Sequence, residues 1–567
     1  MRRRIALAQV VALALFPLVS TGEEWPGFRG PNAAGVSEQS PLPVEWSADS
    51  HVQWKVQLPG VGWSCPIVWG DKIFVTTAVT ENQRKPSQGG GGFGGGGQRP
   101  PRGERPSRPQ PDGDQPQPNG DQPQPEGAQP PVEGQQAPPA AEGEPPAGDQ
   151  PPPRGRRGGG RGGFGGFGNQ DPPDQVYRWE IHCLDRQTGE TLWKQTALER
   201  KPTIPTHNTN TYASETPVTD GERVYAYFGM TGLYCYDFDG NLIWGKEMES
   251  FPMSMGWGTG SSPVLDGDLL FIQCDNEEKS YLAALDKRTG DEKWRVPRDE
   301  ASSWSTPFIW RNAARTELVV LGSTVRSHDP MTGEVLWELP GMSGRCNASP
   351  VADESTIYFG GGGRGMGGGG RGGFGGQPGQ RGQGGRGGQP GQPGQGGQPG
   401  QPGQGGQPGQ GGRGGFGGFG GGGIRMVAVS AGASGQLSLE STGGETPGVK
   451  WSNPTGGPSM ASPLLHRGYL YVLDQRGSLL TCLDAATGEE VYSERLSGAQ
   501  GFTSSPCASG DFIYCLDANG QTFVVKAGEE FELVAQNSLE EMCWSSPAVA
   551  GGSLLIRTVD NLYSVQP

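Results

Sequence analysis

The chain has no apolar run of the roughly 20 residues needed to cross a bilayer; the run from Ile5 to Phe16 is too short and is broken at Gln9. Histidine is scarce. The five residues, His51, His182, His207, His328 and His466, are dispersed, with no H-x-x-x-H pair or Cys/His cluster, which argues against a zinc site. No C-x-x-C-H occurs, so the signal for c-type haem attachment is missing. A G-x-S-x-G elbow and a Walker A motif are also absent, and the long glycine runs do not open a helix after a strand, as a phosphate loop must. These absences leave no recognisable catalytic constellation and predict no bound cofactor or metal. The nine cysteines are an odd number, so at least one is unpaired or bridges to another chain. Cys183 and Cys482 precede Leu-Asp and Cys235 precedes Tyr-Asp inside predicted strands, where a small buried hydrophobe is expected. No pairing follows from sequence.

Arg2, Arg3 and Arg4, the apolar run to Phe16, and the small residues Ser20 and Gly22 have the layout of a secretory signal, expected at residues 1–22. The first cysteine is Cys65, far from that cleavage point, which disfavours lipoprotein processing. The expected destination is the periplasm or the cell exterior, with no integral membrane segment in the mature chain.

Glycine (101) and proline (51) are abundant, concentrated in residues 84–173 and 360–423. Such tracts bury too little apolar area to offset ordering entropy, so both are expected to be disordered insertions. RGG strings at Arg161, Arg371, Arg386 and Arg413 would suggest RNA binding in an intracellular protein. With export expected and a formal net charge of −15, they read as solvated spacer, and no nucleic-acid partner is expected.

What remains is repetitive. A Ser/Thr/Cys-Pro step, an apolar run, a turn and a second apolar run recur as SCPIVWGDKIFV from Ser64, ETPVTDGERVYAY from Glu215 and SSPVLDGDLLFI from Ser261. Further copies start at Ser305, Ala348, Ala461, Ser504 and Ser545. Pro217, Pro263, Pro307 and Pro350 are 46, 44 and 43 residues apart; Pro463, Pro506 and Pro547 are 43 and 41 apart. A second element follows: an alternating strand, L-D-x-x-T-G, and Trp four residues after Gly. It gives Asp185, Gly189 and Trp193; Asp286, Gly290 and Trp294; Asp329, Gly333 and Trp337; and Asp484 and Gly488 with Tyr492 in the Trp place. A shortened form ends at Trp244, and Trp451 lacks the preceding Thr-Gly. Each unit reads as four short strands, one blade of an all-β propeller. Asp and Thr-Gly cap the last turn, and the indole forms a plate between neighbouring blades. Eight repeats are counted, spanning residues 23–567, with the insertions between the second and third strands of blades 1 and 5. The eighth repeat has three strands before Pro567, and HVQWKVQL, with Trp54 in the Trp place, is predicted to supply the fourth and close the ring.

These repeats resemble the PQQ-repeat propellers, which include quinoprotein alcohol dehydrogenases and the barrel-assembly lipoprotein of outer-membrane biogenesis. WPGFRGPNAAG from Trp25, LPVEW and the segment through Trp63 to Pro66 are similar to secreted bacterial propellers of that class without assigned chemistry. The seventh repeat, KAGEEFEL, departs from the pattern, with Glu532 expected in the Trp place. The resemblance implies an eight-bladed, quinoprotein alcohol dehydrogenase-like fold. The dehydrogenases need a hard cation held against the quinone, an Asp base and commonly a disulfide of adjacent cysteines; this chain has no Cys-Cys pair.

The expected role is a non-catalytic scaffold in the cell envelope that binds a protein. A PQQ- and calcium-dependent oxidoreductase and an extracellular glycan-binding module are the alternatives. Trp63, Trp304 and Trp544 each stand three residues before a repeat proline and are the candidates for a ligand-binding mouth, or for packing between blades.

Overall fold

Short apolar runs separated by Gly-bearing turns fold, in the computed structural model, into eight sheets round one axis, each built on four antiparallel strands, an eight-bladed β-propeller. The structure describes residues 24–38, 41–86, 171–342, 344–361, 425–440, 448–475 and 477–567. The expected signal at 1–22 lies outside them, as do the tracts at 84–173 and 360–423 apart from residues 84–86, 171–173, 360 and 361.

Blades 1 to 7 span residues 67–200, 218–247, 264–297, 308–340, 351–453, 464–495 and 507–538. Blade 8 takes three strands from 548–565 and its outer strand from Val52–Gln57, which runs antiparallel to Asn561–Val565 with Trp54 opposite Ser564. The N-terminal strand therefore closes the ring. In blade 1 the second strand ends at Val79 and the third begins at Tyr177; in blade 5 they end at Gly361 and begin at Arg425.

Burial explains why the inner strands read as continuous apolar runs. Leu269–Cys274, second from the axis in blade 3, is buried along its whole length between neighbouring blades, whereas the outer strand Glu292–Pro297 alternates between exposed and half-buried positions.

The tryptophans join one blade to the next. The Trp54 indole lies on Gly189 of blade 1 and donates to the Arg186 carbonyl at 3.0 Å. Trp193, Trp244, Trp294 and Trp451 repeat this on Gly240, Gly290, Gly333 and Gly488, donating to carbonyls of the next blade's turn at 2.9–3.1 Å. A Cβ at Gly189 would stand 2.7 Å from the ring, and its φ is +74°. Glycine is required there on both counts. Asp185, Asp329 and Asp484 each accept two backbone N–H bonds within their own turn.

Three blades depart from this joint. Trp337 faces blade 5, which lacks the Thr-Gly turn, and its indole donates instead to the buried Glu317 carboxylate at 2.7 Å. Tyr492 meets Phe531 of blade 7 edge-on at 5.7 Å. In blade 7 the register places Ala535, not Glu532, where the other blades carry Trp, because Val524 pairs with Ala535 as Cys183 pairs with Trp193. The Lys526-to-Glu532 turn is one residue longer than its Asp185-to-Glu190 counterpart, so counting from Gly528 missed the position. The missing indole comes from elsewhere in the chain. Trp46, 5% exposed, stacks on Tyr514 of blade 7 at 6.3 Å, and its segment is held by Asn537, which accepts from the Trp46 N–H and donates to the Val44 carbonyl.

Residues 24–37 lie across the axis at the hairpin end of the inner strands. Trp25 bridges to Val68 of blade 1, and the Thr219 N–H of blade 2 donates to the Pro26 carbonyl. Arg311 of blade 4 reaches Asn32, Arg29 donates to the Pro463 carbonyl of blade 6, and Val36–Ser37 pairs in parallel with the inner strand of blade 7. Trp25 is fully buried under Gly30, where a Cβ would fall 2.4 Å from the indole.

Candidate functional site

The residue before each repeat proline builds a belt round the axis. The Cys65 N–H donates to the Thr216 hydroxyl, Thr216 N–H to Ser262 and Ser262 N–H to Thr306, at 3.0, 3.0 and 3.1 Å. Thr306, Ser349, Ser462 and Ser505 continue it to Ser349, Ser462, Ser505 and Ser546 at 2.9–3.0 Å. The Ser546 N–H closes the circle on the Cys65 thiol. Each step gives a buried N–H its partner in the neighbouring blade, a net contribution of about 1 kcal/mol apiece.

This belt underlies the face where loops lead into the inner strands. Trp63 and Trp544, leading into blades 1 and 8, stack at 5.9 Å and 24°. Trp304, leading into blade 4, does not touch them; its indole donates to the Gly258 carbonyl at 2.7 Å. Two rings without a sequence signal lie between. The Trp63 indole donates to the Thr209 carbonyl, the Thr209 hydroxyl is 2.8 Å from His207 Nδ1, and the His207 imidazole stacks on Trp257 at 4.0 Å. The Asn210 amide ties this loop to the Trp257 and Thr259 carbonyls at 2.8 and 3.1 Å. Trp544, Trp63, His207, Trp257 and Trp304 thus form an arc with one ring from each loop leading into blades 8, 1, 2, 3 and 4. Trp63 is buried; the other four are half-buried. Desolvation lowers the His207 pKa, so the imidazole is neutral at neutral pH.

Below the arc, a pocket lined by Tyr227, Met253, Thr259, Ser261, Gln273 and Asp275 has room for about one water molecule. Glu215 adjoins it, 1% exposed and beside Thr259, with Oε1 accepting no hydrogen bond from the described residues. Burial pushes its pKa up to about 7. On the other side Arg298 grips Asp275 at 2.8 and 3.2 Å.

A calcium-held quinone needs several anionic oxygens converging on one point. Among the described residues no three His, Cys, Asp or Glu side chains are placed to hold a metal, Asp275 is already engaged by Arg298, and all nine cysteines are buried. The donor set does not fit that group.

The family model described as "Outer membrane protein assembly factor BamB" matches residues 178–367 and 433–565. No curated protein matches the chain. Among solved structures, BamB from Moraxella catarrhalis is similar at 11% identity and a TM-score of 0.40, over 67% of this chain and 87% of that one. A europium-containing methanol dehydrogenase is similar at 8% identity and a TM-score of 0.45, over 95% and 90%. The computationally designed Ika8 protein is similar at 9% identity and a TM-score of 0.40, over 69% and 93%. No helix among the described residues is long and apolar enough to cross a membrane.

Proposed function

Since the chain belongs to the PQQ-repeat family described as outer membrane protein assembly factor BamB, we propose that it is an exported, non-catalytic scaffold that binds a protein partner in the cell envelope. The observation that carries the reading is the arc of five rings contributed by five consecutive loops on one face. Aromatics held by stacking, and in Trp63 and Trp304 by hydrogen bonds to neighbouring loops, offer contact area whose ordering entropy is already spent in folding.

The test is cross-linking and pull-down from the native envelope with the intact chain and with a Trp257→Ala, Trp544→Ala double variant, whose fold is checked by its melting curve. A folded variant that loses at least tenfold of a specific protein partner supports the reading. Equal capture by both proteins sinks it. Binding on a glycan array, or dye reduction with added PQQ and calcium, would replace it with the glycan-binding or oxidoreductase reading.

A further inference from the structure

Arg29 lies near the propeller axis, 2% exposed, just inside the belt of hydroxyls. Its Nη2 donates to the Pro463 carbonyl at 2.7 Å and the Ala34 carbonyl at 3.3 Å, while Nε and Nη1 are buried and have no partner among the described residues. Two other buried arginines have the partners that Arg29 lacks, although Arg557, like Arg29, has only thiols as titratable neighbours. Arg298 has the Asp275 carboxylate, and Arg557 donates from both Nη atoms to the Ser64 and Thr76 carbonyls. Among the described residues the titratable groups that act on Arg29 are the thiols of Cys65 and Cys507. Burial raises both, Cys507 to about 12, so at neutral pH they carry no charge. A guanidinium cannot shed its proton to escape this setting, and an uncompensated buried charge costs several kcal/mol.

We propose that Arg29 holds a small inorganic anion of the halide class on the axis, and that this ion fastens residues 24–37 across the ring. Size and shape favour a monatomic ion. The fork that grips a carboxylate pairs Nε with Nη2, and Nη2 is already engaged by two carbonyls. The chain also closes tightly round the group: a Cβ at Gly35 would stand 3.0 Å from Nη2 and 3.3 Å from Nε. A halide needs only one free N–H, and its charge offsets that of the guanidinium.

Crystals of the intact chain grown in sodium bromide test this through anomalous scattering at the bromine edge. The expected result is a peak within hydrogen-bonding reach of Arg29 Nε or Nη1. In solution, the melting temperature should rise with sodium chloride but not with sodium gluconate at equal ionic strength, and Arg29→Gln should abolish the difference. No bromide peak at Arg29, or a peak without chloride-specific stabilisation (binding at crystal concentration only), overturns the proposal. If Arg29→Gln does not fold, the bromide map and the chloride-against-gluconate comparison on the intact chain decide the matter together.

Discussion

Glu215 occupies the place that serine or alanine takes in the other seven repeats. A carboxyl there, enclosed and with one oxygen unpartnered, is more easily kept protonated than charged. Its folded pKa of about 7 lies above the ordinary carboxylate value, so between about pH 4.5 and 7 the native chain holds a proton that the unfolded chain has released. Stability from this group is therefore present at low pH and lost as pH rises, by about 3 kcal/mol at most once pH exceeds 7. Glu215→Gln keeps the neutral shape without the ionisation. Urea unfolding at pH 5 and pH 8 should show the variant gaining on the parent at the higher pH only. Equal differences at both pH values would mean that Glu215 is not held neutral.

Blade 7 shows how far an element can drift when another segment compensates. Its outer strand carries Ala535 where an indole is expected, and Trp46 fills that space from almost 500 residues earlier in the chain. Trp46→Ala should cost about 3–5 kcal/mol in urea unfolding, the range for emptying a large buried aromatic site. Ala535→Trp alone should destabilise the chain, because two rings would compete for one space. Adding Ala535→Trp to Trp46→Ala should recover part of the loss. If the two changes merely add, Trp46 does not stand in for the blade's own indole. The motif L-D-x-x-T-G-x-x-x-W was legible because its Asp hydrogen bonds lie within one turn and its repetition fixes the blade, although each Trp packs on the next repeat. The arc was half legible: a tryptophan at constant distance from a repeat proline stands out, whereas His207 and Trp257 sit in loops without a shared pattern and meet only through the fold. Trp46 and Arg29 were out of reach for the same reason, since their partners are hundreds of residues away. The belt was visible as eight Ser/Thr/Cys-Pro steps, but its hydrogen bonds run between repeats and no single repeat contains one.

A closed ring differs from a row of sheets in having no end blade with an uncovered face and no edge beyond the outer strand of each blade, and here that closure depends on six residues. Val52–Gln57 covers the edge of Asn561–Val565, a strand buried at every position, while Trp54 reaches over to Gly189 of blade 1. Without that strand the eighth sheet would present unpaired N–H and C=O groups beside apolar side chains, a template for pairing with another molecule. The last step of the belt, from Ser546 to Cys65, joins the same two blades but offers one hydrogen bond against a whole strand. A chain truncated to begin at Leu58 should therefore elute from size-exclusion columns as species larger than the intact protein and be cut faster by protease. Supplying residues 24–57 as a separate peptide should reverse both effects, since the peptide carries the closing strand, the Trp46 segment and residues 24–37. A truncated chain that elutes and resists protease like the intact one would show that the propeller holds together without its closing strand.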